Sequence, residues 1–234
     1  MSLRKDKENL PETSVPTVKM DPVLVSGAGP VGCAAALYLA QKGIPVVLFE
    51  KDTDLPEDLR ASTFHPPTLD MLDEIGLTDS LIKQGLVVDS FQFRERRTNE
   101  NAIFDMNRLE GETKHPYRLQ CEQFKMTRTV VNMLEAYPHA KVVFGSSIIG
   151  FRETSDGVDA LVQTGSSEER VRGSYLVGAD GANSQIRQTA GVMFNGLTYP
   201  EMFLVASTTF PFQDHFENLS WVNYVSDPEE WCVM

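Results

Sequence analysis

Six consecutive residues, Gly27-Ala28-Gly29-Pro30-Val31-Gly32, carry the spacing G-x-G-x-x-G. Glycines so spaced can cradle a pyrophosphate: Gly27 allows a sharp turn, Gly29 lets bare backbone approach the phosphates, and Gly32 lets a following helix pack closely. Glu50 stands 21 residues beyond Gly29, where a carboxylate can accept hydrogen bonds from the hydroxyls of an adenosine ribose. A second group lies far along the chain, at Gly178-Ala179-Asp180-Gly181. An aspartate at a strand end can bond a ribose or ribitol hydroxyl, and Gly181 leaves room for the same ligand. Alone, those four residues are equally compatible with an ordinary Asp-Gly turn.

These groups need elements to hold them. Val23-Leu24-Val25 reads as a short buried strand, and Cys33-Ala34-Ala35-Ala36-Leu37-Tyr38-Leu39-Ala40 as a small-residue helix. The N-terminus of that helix offers unpaired N–H groups and a partial positive charge to phosphates. Gly43 is suited to end it, and Ile44-Pro45-Val46-Val47-Leu48-Phe49 reads as a second buried strand closing on Glu50. Strand, helix, strand and acid make a dinucleotide-binding βαβ unit. The unit alone leaves bound FAD, bound NAD and exchangeable NADP all open.

After a polar loop, Pro66 and Pro67 can pre-set a helix over residues 68–75, with Leu69, Leu72 and Ile75 on one face and Gly76 at its end. Leu81 and Ile82 belong to a further helical turn. From Val87 the period becomes two, and Phe91, Phe93 and Ala102-Ile103-Phe104 predict an antiparallel hairpin outside the parallel sheet. Tyr117-Arg118-Leu119-Gln120 leads into a helix over residues 122–137, with a stripe of Phe124, Val131 and Leu134 beside Met126, Val130 and Met133. Residues 141–144 would rejoin the parallel sheet. A three-stranded meander is expected over 147–154, 158–164 and 169–173, turning at Asp156-Gly157, and then a buried strand at Tyr175-Leu176-Val177. Ser184 is placed to cap a short helix over 185–190. Residues 203–206 and 219–225 predict strands of a second layer, and Glu230-Trp231-Cys232-Val233 predicts the start of another.

The chain has 234 residues and a net charge of −12. That charge argues against a nucleic-acid partner, because phosphate contacts need clustered Lys and Arg. No run approaches the ~18 apolar residues of a membrane-spanning helix. The three cysteines, Cys33, Cys121 and Cys232, lack metal-type spacing and suit a reducing, cytoplasmic setting. His65, His115, His139 and His215 are scattered, none at metal-ligand spacing from another. Residues 1–20 read as a flexible tail without the apolar core of a secretion signal.

Gly178-Ala179-Asp180-Gly181-Ala182-Asn183-Ser184-Gln185-Ile186-Arg187 resembles the Asp-Gly motif of the single-component FAD-dependent aromatic hydroxylases, the class A flavoprotein monooxygenases. The opening unit, Glu50, Arg60-Ala61-Ser62 and Arg118-Leu119-Gln120 follow that family's order and spacing. Asn195-Gly196-Leu197-Thr198-Tyr199-Pro200-Glu201 is similar to its entry into a substrate sheet. The resemblance runs from Asp21 to about Met234. It implies an α/β fold: a Rossmann-like FAD-binding domain with a parallel sheet and β-meander, plus part of an antiparallel substrate-domain sheet. The FAD-binding domain would comprise 21–87 and 117–193, and the partial substrate domain 88–116 and 194–234.

Carried over by position, the resemblance gives Gly27, Ala28, Gly29, Pro30, Val31 and Gly32 to the FAD pyrophosphate, and Glu50 with Lys51 to the adenosine side. Arg60 and Ala61 would lie at the pyrophosphate and the NAD(P)H path, Gln120 at the flavin side, and Asp180 and Gly181 at the ribitol or pyrophosphate. Arg187 is either a surface charge or part of the NAD(P)H route. The implied reaction is hydroxylation of a small, phenol-like aromatic by NAD(P)H and O₂ through a flavin C4a-hydroperoxide, with a homodimer left open. The family's third FAD segment, Gly-Asp-Ala-Ala-His-like, does not occur here, so the chain is expected to be the N-terminal part of a longer protein. Three rival readings remain: an FAD-dependent reductase or epoxidase on the same scaffold, an NAD-dependent dehydrogenase, and an inactive FAD-binding fragment.

Overall fold

The computed structural model describes residues 20–57 and 61–234; the tail up to residue 19 and Arg60 lie outside them. The first strand, β1 (Val23–Ser26), is followed by α1 (Pro30–Gln41) and β2 (Val46–Phe49). Gly43 ends α1 with φ +74°: its N–H bonds to the Ala40 carbonyl at 3.0 Å, and the Ile44 N–H bonds to Leu39 at 3.0 Å. That pair of bonds uses two of the carbonyls a helix end leaves unpaired.

Next come β3 (Thr63–Phe64), α2 (Pro66–Asp73), α3 (Thr78–Ile82) and β4 (Leu86–Val88). The prolines open α2 rather than precede it, because a helix's first turn has no use for their missing N–H. The hairpin β5 (Ser90–Glu95) and β6 (Asn101–Asp105) sets Phe91 opposite Phe104. After β7 (Arg118–Gln120), the helix α4 (Gln123–Leu134) buries Met126, Thr127, Val130 and Leu134. Phe124 and Val131 are only half buried, so the buried stripe lies one position round from the expected one.

The strand β8 (Ala140–Val143) pairs in parallel with β2. The meander follows as β9 (Ser146–Thr154), β10 (Gly157–Thr164) and β11 (Ser167–Gly173). Its first loop is Ser155-Asp156, with Gly157 already paired to Thr154, one residue earlier than expected. β12 (Tyr175–Gly178) is an exposed edge strand, not a buried one, with Tyr175 73% exposed. The chain closes with α5 (Gln185–Thr189), β13 (Val222–Ser226) and β14 (Cys232–Val233). Residues 203–206 form no strand: they have no partner strand, and Leu204 is 92% exposed.

The parallel sheet has the order β12-β1-β2-β8. Its two faces read directly from the period-two alternation of the strands. Val23, Val25, Val46 and Leu48 pack with α1, α2 and α4, whereas Leu24 and Phe49 pack with Ile148, Val158, Ala160 and Val162 of the meander and with Ile186 of α5. The sheet is thus covered on both sides, as parallel sheets require. A separate sheet, β14-β13-β5-β6, and a small one, β3-β7-β4, lie outside it. Among the described residues no helix is long and apolar enough to cross a membrane.

Candidate functional site

The strand order places the site. β2 and β8 lie on one side of β1 and β12 on the other, so the connections leave in opposite directions between β1 and β12. The crevice beyond the C-terminal strand ends at such a reversal is where doubly wound sheets bind ligands. Gly27 leaves β1 there and Ala179 leaves β12, with Ser26 in register opposite Gly178. The Ala179 N–H donates to the Ser26 carbonyl at 2.9 Å. Two motifs more than a hundred residues apart become neighbours through one strand pairing.

The glycines divide their work. Gly27 has φ +97°, and a Cβ there would lie 2.5 Å from the Ala179 carbonyl oxygen. A Cβ on Gly32 would overlap the Gly27 carbonyl oxygen and sit 3.3 Å from the Ala179 Cβ. These two glycines therefore serve the packing of loop, helix and neighbouring loop. Gly29 differs: a Cβ there meets nothing within 4 Å, and the same holds at Gly181, whose φ is +80°. Both line a cleft of about 420 Å³, within the roughly 300–1,000 Å³ of small-molecule and cofactor sites.

That cleft brings together Gly27, Ala28, Gly29, Pro30, Glu50, Lys51, Asp180 and Gly181. Pro30 opens α1 and has no N–H, and the first intrahelical bond runs from the Cys33 N–H to the Gly29 carbonyl at 2.9 Å. The N–H groups of Val31 and Gly32 precede it, so both can turn to an anion although neither residue is among those lining the cleft. Among the described residues lining the cleft, Lys51 is the one cation, against Glu50, Asp52 and Asp180. Backbone N–H groups and the helix dipole favour phosphate charge there, while the carboxylates suit hydroxyls.

Glu50 is buried, with Oε2 accepting from the Ala28 N–H at 2.7 Å and Oε1 from the Asp52 N–H at 3.1 Å. Each oxygen keeps further acceptor capacity for a ligand hydroxyl. Asp180 is engaged inward: Oδ1 accepts from the Ser184 hydroxyl at 2.6 Å and Oδ2 from the Ile186 N–H at 3.1 Å. Ser184 in turn accepts from the Arg187 N–H at 2.9 Å, the expected cap. Asp180 is thus first a brace of the α5 terminus, and it fronts the cleft from that position. Behind the loop, Cys33 Sγ donates to the Ala28 carbonyl at 3.2 Å. Burial, and then the Glu50 charge, push its thiol up to about 12.

Two expected residues stand elsewhere. Ala61 is exposed, and its carbonyl accepts from the Gln123 N–H at 3.1 Å. Gln120 lies in the small sheet, its Oε1 accepting from the Thr63 hydroxyl at 2.9 Å. Arg187 donates to the Ala182 carbonyl at 2.9 Å and lies over the Phe194 ring. Sequence reasoning missed Gln123, Phe124 and Thr127 of α4, Ser146, Ser147 and Ile148 entering β9, and Asn183 and Gln185 near α5. The serines follow the C-terminal end of β8 as Gly27 follows β1 and Glu50 follows β2, so the strand-end rule itself was the available signal.

The comparisons agree with this geometry. The family model described as FAD binding domain matches residues 20–232. The chain is 33% identical over 191 residues to the 6-hydroxy-3-succinoylpyridine 3-monooxygenase of Pseudomonas putida, covering 81% of this chain and 49% of the relative. It is 31% identical over 219 residues to the para-nitrophenol 4-monooxygenase of a Pseudomonas species, covering 92% and 53%. The crystal structure of the p-nitrophenol 4-monooxygenase of Pseudomonas putida superposes with a TM-score of 0.81 at 27% identity, covering 92% of this chain and 54% of that one. The chain spans about half the length of the curated relatives it matches. A glycine cradle at a switch point, an acid after the second strand and a match over nearly every residue give one result: the chain belongs to the FAD binding domain family.

Proposed function

We propose that the chain is the FAD-binding part of a flavin-dependent monooxygenase that hydroxylates a small phenol-like aromatic with NAD(P)H and O₂. The observation that carries this reading is the switch-point cleft. Its open Gly29 and Gly181, its N–H groups and its carboxylates suit the phosphates and hydroxyls of FAD. Support for the reaction comes from relatives named as monooxygenases of a pyridine and of a nitrophenol.

In this reading residues 27–32 cradle the pyrophosphate, with the N–H groups of Gly29, Val31 and Gly32 turned to it while those of Gly27 and Ala28 stay on the Phe49 carbonyl and Glu50, and Glu50 binds the ribose. Lys51, Asp180 and Gly181 border the cofactor, while Arg60, Ala61 and Gln120 keep the roles the resemblance implies. FAD held there would supply hydride acceptance from NAD(P)H and, in its reduced form, oxygen activation toward an electron-rich ring. The chain's own part is to bind, orient and exclude water.

The proposed division into cofactor parts (21–87, 117–193) and substrate parts (88–116, 194–234) fits the sheets, except that β4 (Leu86–Val88) crosses the first boundary. A cytoplasmic setting with reduced thiols belongs to the same reading, and homodimerisation is a question for sedimentation. The test is oxygen uptake and product mass with NAD(P)H and a phenol. A product heavier by one oxygen supports hydroxylation; a reduced alkene as sole product points to a reductase instead.

A further inference from the structure

Two walls of the switch-point cleft are joined by one guanidinium. The loop that follows Glu50 lends Lys51, Asp52 and Pro56 to the lining, and α4 lends Gln123, Phe124 and Thr127. Arg128 is the residue after Thr127 on α4. Its Nη2 lies 3.0 Å from Glu57 Oε1 and 3.8 Å from Asp54 Oδ2, and donates to the Leu55 carbonyl at 3.5 Å. Pro56, the residue that reaches the cleft, therefore sits between two residues that Arg128 holds.

The charges of this loop make that hold matter. Residues 51–57 carry Asp52, Asp54 and Glu57 against Lys51. Carboxylates beside a cleft suited to phosphates oppose the ligand's charge, and Arg128 answers two of them. Neutral contacts fix the rest of the loop: Leu55 is buried in the same core cluster as Met126 and Val130 of α4, and the Asp52 carbonyl accepts from the Gly145 N–H at 2.9 Å. The Arg128, Asp54 and Glu57 side chains are 42%, 77% and 66% exposed, so water and salt screen their attraction. Such a contact adds little to the stability of the fold. It can open without unfolding anything, and its leverage is on where Pro56 stands.

We propose that Arg128 is a positioning residue for the cofactor, an electrostatic latch that keeps the 51–57 loop against α4 and slows the escape of bound FAD. The inference rests on the proposed function, which supplies the ligand, and adds a salt-sensitive control of its release.

The test is the rate at which FAD leaves the loaded protein on dilution, followed by the fluorescence of the released flavin, at low salt and at about 1 M, where the Debye length is ~3 Å. At low salt Arg128→Met should speed release about two- to fivefold, the range of an exposed ion pair, with the urea midpoint nearly unchanged. At about 1 M the two proteins should converge. Asp54→Asn combined with Glu57→Gln should act in the same way, and decides the matter should Arg128→Met fail to fold. Lys125→Met removes a cation of the same helix that pairs with Glu122 instead, and should leave the rate unchanged. An unchanged rate in the loop variant, a difference that persists at about 1 M, or an equal acceleration by Lys125→Met overturns the latch and leaves the FAD site standing. An unsubstituted protein that holds no FAD overturns this inference and the proposed function together.

Discussion

The Ala28 N–H donates to Glu50 Oε2 across 2.7 Å, so the glycine turn after β1 and the acid after β2 form one unit. The carboxylate shapes the cradle before it meets any ligand. Glu50→Ala removes both its backbone bonds and leaves the buried Ala28 N–H unpaired. The expected stability loss is about 1–3 kcal/mol, read as a lower urea midpoint, together with a smaller fraction of flavin retained on desalting. Loss of flavin at an unchanged midpoint would mean that Glu50 serves the ligand alone.

Gly29 and Gly32 make opposite predictions. Gly29 has φ −69° and open space at its Cβ, so Gly29→Ala should keep the unfolding midpoint and weaken FAD binding by blocking the approach of the phosphates. Gly32→Ala must displace the Gly27 carbonyl, so it should lower stability as well as binding. The gain in helix propensity from that alanine, up to ~1 kcal/mol, does not offset a backbone overlap. Thermal unfolding of the two apo-proteins distinguishes the cases.

Asp180→Ala strips the α5 terminus of its bonds from Ile186 and Ser184. A stability loss of ~0.5–2 kcal/mol, the range of a lost helix cap, should accompany weaker FAD retention. If retention is unchanged while stability falls, Asp180 is only a brace.

The thiols should separate by reactivity. Cys33 is buried with its thiol pushed up to about 12, whereas Cys232 is exposed. At neutral pH a maleimide should label Cys232 first and reach Cys33 only on unfolding, as mass spectrometry of the labelled peptides would show.

Acid should weaken the fold through Asp70. Hydrogen bonds from the Thr113 hydroxyl and the His115 ring hold its carboxyl below the usual range. A depressed carboxylate contributes stability above its unfolded value, about 4, and loses that contribution as pH falls through its folded value. Asp70→Asn should therefore flatten the acid limb of stability against pH and leave the neutral difference between the proteins constant.

The legible parts of the molecule were those fixed by local chemistry. The Gly27–Gly32 spacing, the Gly43 helix end and the Ser184 cap each depend on a few neighbouring residues, and each stands where the sequence placed it. Parallel-sheet membership of the strands was legible from apolar runs. What was not legible depends on partners. Tyr175–Gly178 reads as buried by composition, yet it lies at a sheet edge because no described strand flanks its outer side. Residues 203–206 have strand-like side chains and nothing to pair with. Phe124 looked like core at helical spacing, but α4 turns it towards the glycine cradle. The inward bonds of Asp180 appear only once α5 folds back over β12.

The most direct measurement is the absorption spectrum of the purified protein, reconstituted with FAD and then desalted. A bound FAD gives a yellow protein that retains flavin absorption, and a Gly29→Ala variant that does not. A colourless protein that takes up NAD but not FAD would rule out a flavin site in this cleft.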